Sequence, residues 1–183
     1  MHTMTRHTSM AMLALSLSLV TVLGCSPALN WRQLSLDAGR VQILLPCKPD
    51  QASRDVPLRI GVKDVAVPMH LQGCEASGMQ FTFGQMTVPE GMPLSTAMTA
   101  WRLASLAPLQ LGGDKDQLGT WQLQGAQVDP APTRTRVRTD RHQVEIAWFA
   151  YGQTIYQAAV YGASQDKTLP EAAETYFSGI KLP

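Results

Sequence analysis

The sequence predicts an α+β fold: a single, mostly antiparallel β-sheet of about eight to nine strands with two helices packed on it. Three observations carry this. Runs of Val, Ile, Leu and aromatic residues alternate with polar ones through most of residues 31–161, the period of half-buried strands. Two segments, 94–107 and the stretch after 168, repeat their apolar residues at three and four instead, the spacing of one helix face. Most strand-like runs are joined by a few turn residues, too few for the crossovers that parallel strands require. A half-open β-barrel with helices against it is the alternative arrangement of the same elements.

In chain order, 31–36 and 40–46 read as two strands around the turn Asp37-Ala38-Gly39, and Pro46-Cys47-Lys48-Pro49 ends the second. Runs at 54–60 and 64–74 flank Gly61. A fifth run, 79–88, alternates Met79, Phe81 and Phe83 with Gln80, Thr82 and Gly84. Pro89 to Pro93 breaks the pattern, and Leu94, Ala97, Met98, Trp101 and Ala104 then mark a helix stopped by Pro108. Residues 109–119 read as a polar connection and 120–128 as a strand, followed by a rigid turn at 129–132. The meander 133–139, 143–151 and 154–161 turns at Asp140-Arg141 and Gly152-Gln153. Thr168 with Glu171 has the spacing of a capping box opening a last helix, whose apolar face is Ala172, Ala173, Tyr176, Phe177 and Ile180.

Ahead of this domain, Arg6 precedes the run Met10 to Leu23, which is interrupted only by Ser16, Ser18 and Thr21. That run is shorter than the roughly 20 residues a membrane-spanning helix needs, and suits the apolar core of a signal peptide. It closes on Val22-Leu23-Gly24-Cys25, which resembles the lipobox of bacterial lipoproteins. Leu23 departs from the commoner Ala or Ser of that motif. The resemblance implies removal of residues 1–24, a diacylglycerol thioether and an N-acyl chain on Cys25, and attachment through those chains, two or more of which anchor stably. Ser26, where the retention signal for the inner membrane is typically Asp, implies the outer membrane, facing the periplasm. The division is then residues 1–24 signal peptide, 25–30 lipidated N-terminus and tether, and 31–183 one domain. Residues 26–30 extend at most about 18 Å, so the domain is expected close to its membrane. Trp31 is read as packing the first strand, with a place in the lipid interface as the alternative.

The chain carries 15 Lys and Arg against 14 Asp and Glu. Loss of residues 1–24, which contain Arg6 and no acid, leaves 14 of each. Balanced charge gives no reason to expect nucleic acid as a partner. With Cys25 assigned to lipid, Cys47 and Cys74 form an even pair in an oxidising compartment and are disulfide candidates, expected to staple two strand ends of one sheet. Cys47, His70 and Cys74 as soft metal ligands, or two free thiols, are the competing readings.

No Gly-x-Ser-x-Gly, His-Glu-x-x-His, phosphate-binding glycine loop or Cys-x-x-Cys occurs in the chain, and no catalytic residue, metal site or cofactor is assigned. His70 reads as an ordinary strand histidine and His142 as a solvated turn residue. Arg134, Arg136 and Arg138 share one face of a strand, where guanidinium groups bind phosphate or carboxylate; a row balanced by acids on a neighbouring strand is the competing reading. Met69, Met79, Met86, Met92 and Met98 are read as core filling or the lining of an adaptable groove. The aromatic set Trp148, Phe149, Tyr151, Tyr156 and Tyr161 is either an exposed partner surface or a sheet buried on both sides. The arrangement as a whole, ending in an aromatic-rich helix and a Gly-Ile-Lys-Leu tail, resembles the PsbP/Mog1-like fold, a resemblance of topology from which no function follows. The expected role is a non-enzymatic binding or assembly-accessory module of the envelope, attached to the membrane through Cys25 and meeting an envelope protein there. A carrier of an acyl chain and a membrane-held hydrolase are the alternatives.

Overall fold

The computed structural model describes residues 29–60, 62–109 and 114–183. The apolar segment read as a signal peptide, and Cys25, lie outside them. Nine strands and two helices follow the chain as β1 (Arg32–Leu36), β2 (Val41–Leu45), β3 (Asp50–Ile60), β4 (Lys63–Ala76), β5 (Met79–Thr87), α1 (Leu94–Leu106), β6 (Asp114–Thr120), β7 (Thr133–Arg138), β8 (His142–Tyr151), β9 (Thr154–Ala163) and α2 (Leu169–Ser178). The fold is α+β and every strand pair is antiparallel. The strands form two sheets rather than the single sheet expected. Seven make one in the order β3-β4-β5-β9-β8-β7-β6, and β1 pairs only with β2. The seven-stranded sheet does not close into a barrel, since β3 and β6 are its two edges.

The period-two pattern explains why the large sheet is covered on both faces. On one face, Phe81 and Phe83 of β5, Phe149 of β8 and Tyr156, Ala158 and Val160 of β9 meet α2 and the small sheet. There Val41, Ile43 and Leu45 of β2, and Ala173, Tyr176 and Phe177 of α2, are completely buried. On the other face, Met86, Ile146, Trp148, Ile155 and Ala159 meet α1 through Ala97, Met98, Ala100 and Trp101, with Leu58 and Val67 closing the edge. At about 1.5–3 kcal/mol for each large apolar side chain buried, these two layers supply the main driving force for folding. The apolar stretch 143–150 is buried throughout because β8 lies inside the sheet between both layers.

Two expectations need correction, and one close contact is added. The run 120–128 is not a strand. Its alternation is genuine, with Trp121 and Leu123 inward and Gln122 and Gln124 exposed. The place beside β7 is taken, however, by Asp114–Thr120, inside the stretch read as a connection. Trp121 instead sets its ring 5.8 Å from Phe149 of β8 and 6.2 Å from Phe177 of α2. The capping box does not form either. Thr168 has helical backbone angles and makes no side-chain cap. Its N–H and its hydroxyl both donate to Oδ1 of Asp166, at 2.8 and 2.6 Å. Finally, Gly179 is required by close approach: a Cβ there would collide with the Leu44 side chain where α2 ends against β2.

Trp31 packs edge-on against Phe81 at 5.7 Å, which places it in the domain's interior layer. The Asn30 N–H donates to the Pro46 carbonyl at 2.9 Å. The chain therefore joins the domain beside Cys47, at the end of the sheet that holds the β4–β5 turn.

Candidate functional site

Cys47 follows β2 and Cys74 lies near the end of β4, and they form a disulfide with Cα atoms 5.9 Å apart. The bridge consumes both soft donors of the metal reading. It also corrects the expected geometry, because it ties the two-stranded sheet to the seven-stranded one instead of joining two strands of one sheet. His70 is exposed on β4, opposite Ser53 and Gln85. His142 is exposed at the start of β8, and its N–H donates to the Thr139 hydroxyl at 3.0 Å. Among the described residues no three His, Cys, Asp or Glu side chains come together as a metal set.

The arginine row sits where period two puts it, on the face of β7 nearest α2. Its register places Arg136 opposite Glu145 and Arg138 opposite Gln143. Glu145 is 1% exposed and accepts from Arg136 at 2.6 Å and from Arg134 at 3.2 Å. Arg134 reaches on to Glu174 of α2 at 2.8 Å and lies 4.5 Å above the Phe177 ring. Arg138 donates to the Gln143 side-chain carbonyl at 3.1 Å, and Gln143 donates in turn to the Asp166 carbonyl. A buried carboxylate needs compensation of this kind. The row thus ties β7, β8 and α2 together, and the acid that balances it lies on the neighbouring strand.

The aromatic set divides between the faces. Phe149 and Tyr156 stack at 4.9 Å on the α2 side, Trp148 and Tyr161 face α1, and none is exposed. The methionines divide as well: Met79 belongs to the α2 layer, while Met69, Met86, Met92 and Met98 belong to the α1 layer.

A polar cluster closes the β1–β2 turn. Asp37, Ala38 and Gly39 have φ of 50°, 53° and 87°, a left-handed run that costs about 1–2 kcal/mol for each residue with a Cβ. The Tyr156 hydroxyl donates to Asp37 at 2.7 Å, and Arg40 pairs with the same carboxylate at 2.7 Å. Partial burial raises the Asp37 pKa, but these two donors outweigh it and hold the carboxyl below its ordinary value. Burial, reinforced by Asp37, pushes the Tyr156 hydroxyl well above its own ordinary value. This cluster pins a strained turn.

The concavity with binding character lies on the α1 face. Beside Trp101 an open groove of about 330 Å³ runs between α1 and β3. The groove is walled mainly by Val56, Leu58, Met69, Leu71 and Trp101. Gly84 makes its floor: a Cβ there would stand 3.1 Å from Cζ2 of Trp101, so glycine lets the indole lie on β5. One polar group at the floor is already engaged: the Gln157 side-chain carbonyl accepts from Ser105 at 2.7 Å and from the Trp148 indole at 3.2 Å. A second hollow of about 310 Å³ shares Leu71, Gln80 and Thr82 and continues past Gly73 to the Cys47–Cys74 end. Arg54 of β3 is exposed on the groove wall and has no ion pair among the described residues. The sequence hinted at this place only through its methionines. The pairing of Gly84 with Trp101 that shapes it was not legible.

No protein-family model matches the chain, and no curated protein matches it in sequence. Among solved structures, the chain is similar to a cyanobacterial PsbP protein, CyanoP from Synechocystis sp. PCC 6803, known in solution. The match has a TM-score of 0.49 and 12% identity, and covers 90% of this chain and 99% of that one.

Proposed function

We propose that the protein is an envelope lipoprotein, anchored through lipid on Cys25 to the outer membrane and facing the periplasm, and that it acts as a non-enzymatic binding or assembly-accessory module. The observation that carries this reading is the Cys47–Cys74 bridge. Of the chain's three cysteines it leaves Cys25 alone, at the end of the apolar leader, in a protein whose disulfide suits an oxidising compartment. The place where the chain joins the domain also supports it. A tether of a few residues leads from Cys25 to the Asn30–Pro46 contact beside the bridge, so that end of the sheet would rest near the bilayer. The groove on the α1 face opens toward the same end and is the surface offered for binding.

Intact mass of the protein extracted from membranes, with alkylation before and after reduction, tests the reading. The expected mass begins at Cys25 with acyl chains added, and the remaining two thiols alkylate only after reduction. A chain without lipid on Cys25 would overturn the anchoring. Crosslinking at the membrane is then expected to capture an envelope protein. The module is expected to keep its function when both His70 and His142 are replaced by Ala, and hydrolysis of an ester or amide substrate by the purified protein would overturn the non-enzymatic role.

A further inference from the structure

We propose that the groove between α1 and β3 takes a single hydrocarbon chain of an anionic amphiphile, a long-chain fatty acid from the adjacent membrane, with its carboxylate at Arg54. The inference rests on the anchored binding module proposed above and names its ligand.

Four observations carry it. The walls are mainly apolar side chains from three elements, and the volume lies at the lower end of the roughly 300–1,000 Å³ of small-molecule sites. That is room for one chain rather than for a two-chain lipid. Next, the floor offers no hydrogen-bonding ladder: β4, β5 and β9 are each paired on both sides. An extended peptide laid there would leave its backbone groups unpaired, at a cost, whereas a hydrocarbon needs no partners. The Gln157 side-chain acceptor at the floor is occupied by Ser105 and Trp148. Third, the charged side chain lining the groove is Arg54, which has no ion pair among the described residues, while the acids Asp50 and Glu75 line the second hollow; guanidinium groups pair with carboxylates through two parallel donors. Last, the groove continues through the second hollow to Cys74, the end at which the chain from Cys25 joins the domain. A chain leaving the bilayer enters there without crossing the rest of the surface.

The test uses the full protein held by its own anchor in phosphatidylcholine vesicles, with lipidation of Cys25 verified by mass on the same preparation. A bromine-labelled stearic acid is titrated in, and quenching of tryptophan fluorescence reports its approach to Trp101. Saturable quenching displaced by unlabelled stearic acid is expected. Ala104→Trp, on the exposed groove side of α1, removes the space of two or three methylenes and is expected to weaken binding about tenfold or more. Arg54→Gln is expected to weaken the acid about two- to fivefold, as an exposed ion pair does, and to leave stearyl alcohol unchanged. Lipidated protein with no saturable quenching overturns the inference and leaves the anchoring intact. Binding unmoved by Ala104→Trp, or lost equally for acid and alcohol in Arg54→Gln, also overturns it. Groove crosslinks to a polypeptide that stearic acid does not displace would assign the surface to a protein instead. An unlipidated Cys25 overturns the anchoring alone, and the same titration on that soluble chain then decides the ligand.

Discussion

Replacing both Cys47 and Cys74 with Ala is expected to lower stability by about 3.5 kcal/mol. The bridge spans 27 positions in sequence. For a loop of that length the chain-entropy relation gives about 12 cal/mol/K, or about 3.5 kcal/mol at 25 °C. The native state should change little, since β2 stays docked through Val41, Ile43 and Leu45, none of which is exposed. The effect therefore falls on the unfolded chain. Urea unfolding followed by circular dichroism separates the two: the midpoint falls, and the slope rises because the freed chain exposes more surface when unfolded. In a thermal scan the same loss lowers Tm by about 7–14 °C for a domain of this size. A loss below about 1 kcal/mol with an unchanged slope would refute the loop-entropy reasoning. It would mean that the unbridged chain already keeps residues 47 and 74 close when unfolded.

Glu145→Ala leaves Arg134 and Arg136 facing one another over a buried site, and a cost of about 3–5 kcal/mol is expected, read as a drop in the urea midpoint that Glu145→Gln reproduces only in part. Gly84→Ala pushes against Trp101; it is expected to cost about 1–3 kcal/mol and to change the near-ultraviolet dichroism, and an unchanged spectrum would contradict the packing. Asp37 has a carboxyl held below its ordinary value in the folded protein. Its contribution to stability is therefore complete above the unfolded value near 3.8 and is lost as pH falls through the lower, folded value. Asp37→Asn should flatten that part of the acid limb, and an identical pH profile in the variant would rule the contribution out. Gly179→Ala, where the new Cβ meets Leu44, is expected to cost about 1–3 kcal/mol, measured by thermal unfolding; an unchanged Tm would show that α2 shifts freely on β2.

The elements most legible in the sequence are those whose burial matches their periodicity. Met79, Phe81 and Phe83 face one layer, Trp101 and Ala97 mark one side of α1, and Ala172, Ala173, Tyr176 and Phe177 mark α2. Periodicity misled at residues 120–128, because alternating burial of Trp121 and Leu123 needs only an apolar neighbour, whereas a strand needs a partner backbone. It was silent over Asp114–Thr120, an edge strand defined by its pairing with β7 and not by an apolar pattern. The arginine row was visible, yet its anchor was not. Glu145 is one acid within an apolar strand, and only the β7–β8 register brings it opposite Arg136. The groove depends on how α1 lies against β3, β4 and β5, a tertiary relation that no local pattern encodes.

The Cys47–Cys74 bridge also determines how the domain responds to force. Tension applied at the N-terminal end passes along β1 and β2 to Cys47, then crosses the sulfur–sulfur bond to Cys74. Residues 48–73 lie inside that covalent loop and carry none of the load. They include all of β3 and most of β4, and so Arg54, Val56, Leu58, Met69 and Leu71. A pull on the N-terminal end can peel the small sheet while the far wall of the groove stays slack. Once the bond is reduced, the same pull runs directly into β3, the edge strand with one neighbour to hold it.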